Sequence, residues 1–217
     1  MIGEFWPQAN LVGLWHLNGN STDSSGNGNN GTDTDITYSI ANGKFGQGAG
    51  FNGSTSFIDI ANNPAWTSWT FAIWLKPSSL GSMAIISKDL IGVSNRTFSL
   101  ELAADGTMSL FSWNTTDTMY AVSSSASAVA ANQQYLLTGT WDTPNNKLSM
   151  YINGVLANTP ATTSGNAKTD STKITLGRQN TPGKYFAGSL DEVALFNRAL
   201  SASEIKKWYT WSKGKYL

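Results

Sequence analysis

The sequence predicts an all-β protein, a sandwich or jelly roll with a short C-terminal helix. Three observations carry this. Short runs alternating apolar with polar residues recur along the chain, separated by turn-forming pairs such as Asn52-Gly53, Asp105-Gly106 and Asn153-Gly154. Residues 69–76 are apolar on both faces, as a strand buried between two layers must be. Only the segment from Ser201 onward joins a helix-start signal to helical spacing.

The elements follow in order. Residues 1–10 read as an arm, with Phe5 and Trp6 packed onto the body and Pro7 keeping the backbone extended. Residues 11–17 are a strand, followed by a Gly/Asn loop. Ile36, Tyr38 and Ile40 alternate with polar residues, which predicts a short strand within 33–40. The glycines of 44–51 indicate close backbone approach or a bulge, and Asn52-Gly53 turns the chain into a strand over 56–60. The two-faced strand 69–76 is ended by Pro77, and 83–87 is another short strand.

Asp105-Gly106 then joins strands 98–102 and 108–113 in a hairpin. Residues 123–131 are small, polar and aperiodic, hence a loop. Strands 135–141 and 148–152 form a second hairpin, Asn153-Gly154 turns into Val155-Leu156, and 173–176 and 189–196 complete the strands. Many short strands at close turn spacing describe a sandwich, here one domain over 11–217. In the final helix Ser201 is the N-cap and Glu204 reaches back to it, a capping box flanked by Leu200 and Ile205. Ile205, Trp208 and Tyr209 face the body, Lys206 and Lys207 face out, and Gly214 ends the helix.

Composition narrows the function. Among the 217 residues, 40% are hydrophobic, enough for a sizeable core, while the 13% charged fraction is low and balances to zero. Without a basic stripe, nucleic acid is not an expected partner. No apolar run is long enough to span a membrane, so no membrane association is expected either. There is no cysteine, which removes disulfides, thiolate zinc sites and cysteine nucleophiles. The start of the sequence shows no signal peptide.

The stretch Asp23-Ser24-Ser25-Gly26-Asn27-Gly28-Asn29-Asn30-Gly31 sets short oxygen-bearing side chains at Asp23, Ser25 and Asn27 between glycines that let the chain curl. A hard cation such as Ca²⁺ wants six to eight oxygens on such a loop, although the EF-hand's closing glutamate is missing. The same composition also describes a polar surface loop that binds nothing.

Leu14-Trp15-His16-Leu17, the loop just quoted, Gly43-Lys44-Phe45-Gly46, Phe51-Asn52-Gly53, Thr140-Trp141-Asp142 and above all residues 188–205, with Gly-Ser-Leu-Asp-Glu-Val and Asn-Arg-Ala-Leu-Ser-Ala-Ser-Glu-Ile, carry a resemblance. Over 11–210 the chain resembles the laminin G-like, concanavalin A-like jelly rolls of bacterial and phage surface proteins. The resemblance implies two sheets, one of them concave and open to solvent, and a calcium site at one edge. It brings Asp23 and Asp191 together on a Ca²⁺ ion, with Ser25, Asn27 and Asn30 as further ligands through side chain or backbone.

Glycosidases on this sandwich place two acids on one strand so that both reach the scissile bond. The expectation is that none of the four glutamates here, Glu4, Glu101, Glu192 and Glu204, has a second acid two or four residues on, and Asp191 and Glu192 are adjacent, pointing opposite ways. The single histidine, His16, reads as structural. The expectation is a non-catalytic module.

Binding is the alternative with residues behind it. Met108 and Leu110 face the core, which leaves Phe111 and Trp113 on the opposite face of the hairpin beside Glu101. An aromatic pair next to an acid on a polar sheet face suits a sugar, unless loop 123–131 or the N-terminal arm covers it. The reading is a calcium-stabilised module that recognises a glycan or glycosylated surface, placed outside a cell, on a cell surface or on a virion. Its rival is a structural or decoration protein of a phage particle that docks on neighbouring proteins through the N-terminal arm.

Overall fold

The computed structural model describes residues 7–61, 66–90, 95–169, 172–179 and 184–214. The N-terminal arm's Phe5 and Trp6 lie outside the described residues. The strands are β1 (Leu11–Trp15), β2 (Gly31–Thr34), β3 (Thr37–Ser39), β4 (Gly48–Asn52), β5 (Phe57–Ile60), β6 (Trp69–Pro77), β7 (Met83–Leu90) and β8 (Asn95–Leu102). They continue with β9 (Met108–Trp113), β10 (Met119–Ser123), β11 (Tyr135–Asp142), β12 (Lys147–Ile152), β13 (Val155–Leu156), β14 (Ala161–Thr162), β15 (Ile174–Leu176) and β16 (Ala187–Phe196). Helix α1 spans Ala202–Lys213.

All pairings are antiparallel, in two sheets. The first runs β13-β12-β11-β6-β16-β4-β3, with β1 also on β16 and β14 on β12. The second runs β10-β9-β8-β7-β15-β5-β2. Their facing residues, including Trp69, Phe71, Ile73, Leu75, Phe98 and Leu110, form the main core. Trp69, Phe71 and Phe98 meet with ring centroids 4.9–5.7 Å apart, within the range of favourable aromatic contacts. The all-β sandwich and its single helix are as the sequence predicts.

The second apolar face of β6 has a cover of its own. Ala72 and Trp74 pack with Leu14, Phe45, Leu136 and Phe196 under Ile205 and Trp208 of α1. The capping box is complete: the Ser201 hydroxyl accepts the Glu204 amide and the Glu204 carboxylate accepts the Ser201 amide.

Three local expectations change. The strand within 33–40 is two short ones in different sheets, because Asp35 takes a left-handed φ of 50° and redirects the chain. Strand β10 escapes the sequence pattern yet pairs along all of β9's outer edge. In β16 simple alternation fails at Asp191–Ala194, where a bulge puts Glu192 at φ 48°. The bulge sits where β16 exchanges one edge partner for another, β4 along residues 187–190 and β1 along 193–196.

Candidate functional site

The loop at Asp23 is a closure for the edge of β1. Among the described residues that strand pairs only with β16, so its other edge presents bare amide and carbonyl groups to the loop. Asp23 Oδ1 accepts the amides of Leu14 (3.0 Å) and Ser25 (2.8 Å), and Oδ2 accepts that of Asn29 (2.9 Å). The Asn27 and Asn29 side chains donate to the Val12 carbonyl at 3.1 and 2.7 Å, and the Ser25 hydroxyl donates to it at 3.3 Å. Asn30 Oδ1 accepts the Asp23 amide at 2.9 Å. These side chains stand in for a neighbouring strand.

This geometry bears on calcium. Asp191 is buried on β16, where Oδ2 accepts the amides of Lys44 (2.6 Å) and Phe45 (2.8 Å) and Oδ1 that of Glu192 (2.9 Å). Asp23 and Asp191 therefore have no hydrogen-bond partner in common. Both carboxylates face N–H groups, which a cation would repel, and Asn27 turns its amide nitrogen inward. Among the described residues no group of three or more His, Asp or Glu side chains gathers around a point. As placed, the Asp23 and Asp191 carboxylates are each engaged by three backbone amides and share no partner.

His16 follows β1, and its Nδ1 lies 2.8 Å from Glu192 Oε1. The hydrogen bond to Glu192 raises the imidazole above its usual range against the opposing effect of burial. Burial raises the Glu192 carboxyl and pushes Asp191 up to about 8 in spite of its amide donors. This buried acid–histidine pairing ties the first strand to the last.

The second candidate lies on the outer face of the second sheet. Register places Ala121, Phe111, Ser99, Ser87 and Thr175 in one row across it, with Ser123, Ser109, Glu101 and Ala84 in the next. Ser87, Ser99 and Thr175 are fully buried. Over them crosses the chain leaving β15: the Ser87 hydroxyl donates to the Arg178 carbonyl, Gln179 donates to Asp89 at 2.7 Å, and Arg178 and Tyr185 form a bridge. Among the described residues the face is thus open at one end, over β9 and β10, where Phe111 and Trp113 are half-buried and Met119 and Ala121 exposed.

Glu101 meets Lys184 Nζ at 2.6 Å and accepts the Ser99 hydroxyl at 3.1 Å. The Arg96 guanidinium sits 5.6 Å from the Trp113 ring centroid. Loop 123–131 does not lie over the aromatics, since its Ser127 and Val129 amides bond back to Asp105 and Gly106 at the hairpin turn. The structure brings Glu101, Phe111 and Trp113 onto one face. Lys184 and Arg96 join them unforeseen: Lys184 arrives from 83 residues away, and Arg96 lies beyond a register shift between β7 and β8 that simple alternation does not reveal.

No acid faces Glu101 across the strands, since its direct neighbours are Ala84 and Ser109. Contrary to expectation an acid does stand four residues on, Asp105, but it belongs to the turn, where it accepts the Thr107 amide.

A family model described as the concanavalin A-like lectin/glucanases superfamily (laminin G type) matches residues 52–206, most of the chain. The chain belongs to that superfamily. No curated protein is similar in sequence. Among solved structures, the binding domain of Paraclostridial Mosquitocidal Protein 1 superposes with a TM-score of 0.78 at 16% identity over 95% of this chain and 53% of that one. The binding domain of botulinum neurotoxin serotype D gives 0.74 at 16% over 94% and 52%. This superfamily member thus spans about half the length of the toxin domains it matches. Domain 4 of AbnA, an extracellular arabinanase from Geobacillus stearothermophilus in complex with arabinotriose, gives 0.71 at 23% over 91% and 97%. At these identities the likeness is one of fold.

Proposed function

We propose that this chain is a non-catalytic module that binds a glycan on the outer face of the second sheet. The observation that carries the reading is the half-buried pair Phe111 and Trp113, outward on β9, next to the Glu101–Lys184 ion pair and the hydroxyls of Ser109 and Ser123. Aromatic faces take the apolar side of a sugar ring, and charged groups beside them take its hydroxyls. Arg96 holds Trp113 in place, and the Lys184 ion pair fixes Glu101, so the site is preorganised.

Catalysis has no second carboxyl to work with at Glu101, whose own carboxylate is held in an ion pair. The arabinanase domain, nearly the same length as this chain and observed with an oligosaccharide, supports a carbohydrate as the ligand. A glycan ligand suits a secreted, cell-surface or virion-surface protein. Calcium has no part in this reading, because the loop at Asp23 is closed by its own hydrogen bonds. The test is binding of the purified chain to a glycan array, repeated with Trp113→Ala.

A further inference from the structure

The outer face of the first sheet holds an open depression of about 350 Å³, lined mostly by polar residues, beyond the region covered by α1, at the small end of the usual range for small-ligand sites. Its floor is one cross-strand row, Thr37, Gly50, Ser189 and Lys76, on β3, β4, β16 and β6. Asp35 and Ser78 stand at its rim. Gly50 keeps the floor low: a Cβ there would come within 2.5 Å of the Asn42 side-chain nitrogen and 2.7 Å of the Thr37 hydroxyl.

Two groups in this cavity lack what they need. Ser189 is 3% exposed and its hydroxyl has no hydrogen-bond partner, a costly state for a buried polar group. Lys76 Nζ gives one hydrogen bond, at 3.3 Å to the Ala41 carbonyl, which leaves two of its three protons. At the opposite side Asp35 is exposed and offers only acceptor oxygens.

We infer that this cavity binds a uronic acid residue of an acidic polysaccharide, with the uronate carboxylate on Lys76 and ring hydroxyls on Thr37 and Asp35. The two ends select that chemistry together. A neutral sugar leaves Lys76 without a counter-charge, and phosphate gives Asp35 like charge where it needs hydroxyl protons. From β6 to β3 is three interstrand spacings, about 14 Å, which one or two sugar rings span once the lysine side chain reaches inward. The site is on the other sheet from Trp113 and does not depend on the glycan reading of that face.

The experiment is calorimetric titration of the full chain with digalacturonate, against digalactose and inorganic phosphate as controls. Wild type is expected to bind digalacturonate saturably in the millimolar range or tighter. Lys76→Gln should weaken it about tenfold or more, the loss of one charged hydrogen bond. Asp35→Asn, which keeps a residue tolerant of left-handed φ, should weaken it less, and Lys207→Ala should leave it unchanged. Each variant is compared at equal melting temperature, so that misfolding is not read as lost binding. No saturable binding, equal binding of the controls, indifference to Lys76→Gln, or loss in Lys207→Ala would each overturn the assignment.

Discussion

His16 and Glu192 meet at 2.8 Å although 176 residues separate them, and Glu192 adopts φ 48° in the bulge that offers the carboxylate. A glutamate in the left-handed region is strained. The pairing with His16 compensates, and fastens β1 to β16 where β16 changes partners.

The pH dependence has a definite sign. Folding raises the His16, Glu192 and Asp191 values, Asp191 to about 8. A raised group adds stability in full below its unfolded value and loses it as pH climbs through its folded value. The melting temperature should therefore fall between pH 6 and pH 8.5. His16→Ala should cost about 1–3 kcal/mol at pH 6, while the part of the fall set by Asp191 remains. Thermal melts across the range check this, and a wild type that gains stability from pH 6 to 8.5 contradicts it.

Helix α1 has the opposite dependence. Its Glu204 is held down to about 2, chiefly by the hydrogen bond from Arg198 at 2.7 Å. A depressed value gives stability above the unfolded value, near 4.3, that is lost as pH drops toward 2. The carboxylate is well solvated, so Glu204→Gln should cost only about 1 kcal/mol at pH 7. The difference should vanish in melts near pH 2.

Docking of that helix rests on Trp208, 5% exposed and stacked on Trp211 at 5.1 Å. Trp208→Ala should cost about 3–5 kcal/mol, Ser201→Ala about 1 kcal/mol, and Lys207→Ala almost nothing. Chemical denaturation ranks the three. Equal midpoints would mean the helix does not cover the outer face of β6.

The loop at Asp23 predicts indifference to calcium. Excess EDTA or Ca²⁺ should leave the melting curve in place, whereas Asp23→Ala should cost about 1–3 kcal/mol by freeing three amides. A rise of several degrees with Ca²⁺, greater than with Mg²⁺, would show an ion where the hydrogen bonds now stand.

Local pattern made much of this legible. Alternation of Met108 and Leu110 with Phe111 and Trp113 gave the correct faces, and Ser201 and Glu204 gave the helix start. The Asp23 loop was legible as polar but not in its role. Side chains that ligate a cation also satisfy a strand edge, and which edge lies bare depends on β16 pairing some 180 residues later. Lys184 and the bulge at Glu192 were hidden for the same reason, being consequences of distant register. Strand β10 was hidden because Asp117, at φ 61°, makes its turn without a glycine.

Glycan recognition by Trp113 is the central claim, and quantitative binding of wild type, Trp113→Ala and Lys76→Gln to one array-selected oligosaccharide tests it most directly. The expected result is that Trp113→Ala weakens binding about tenfold or more, since stacking contacts of this kind contribute about 1–3 kcal/mol, while both variants melt within a few degrees of wild type. Binding that survives Trp113→Ala unchanged, or an array on which the folded wild type binds no glycan at all, would contradict it.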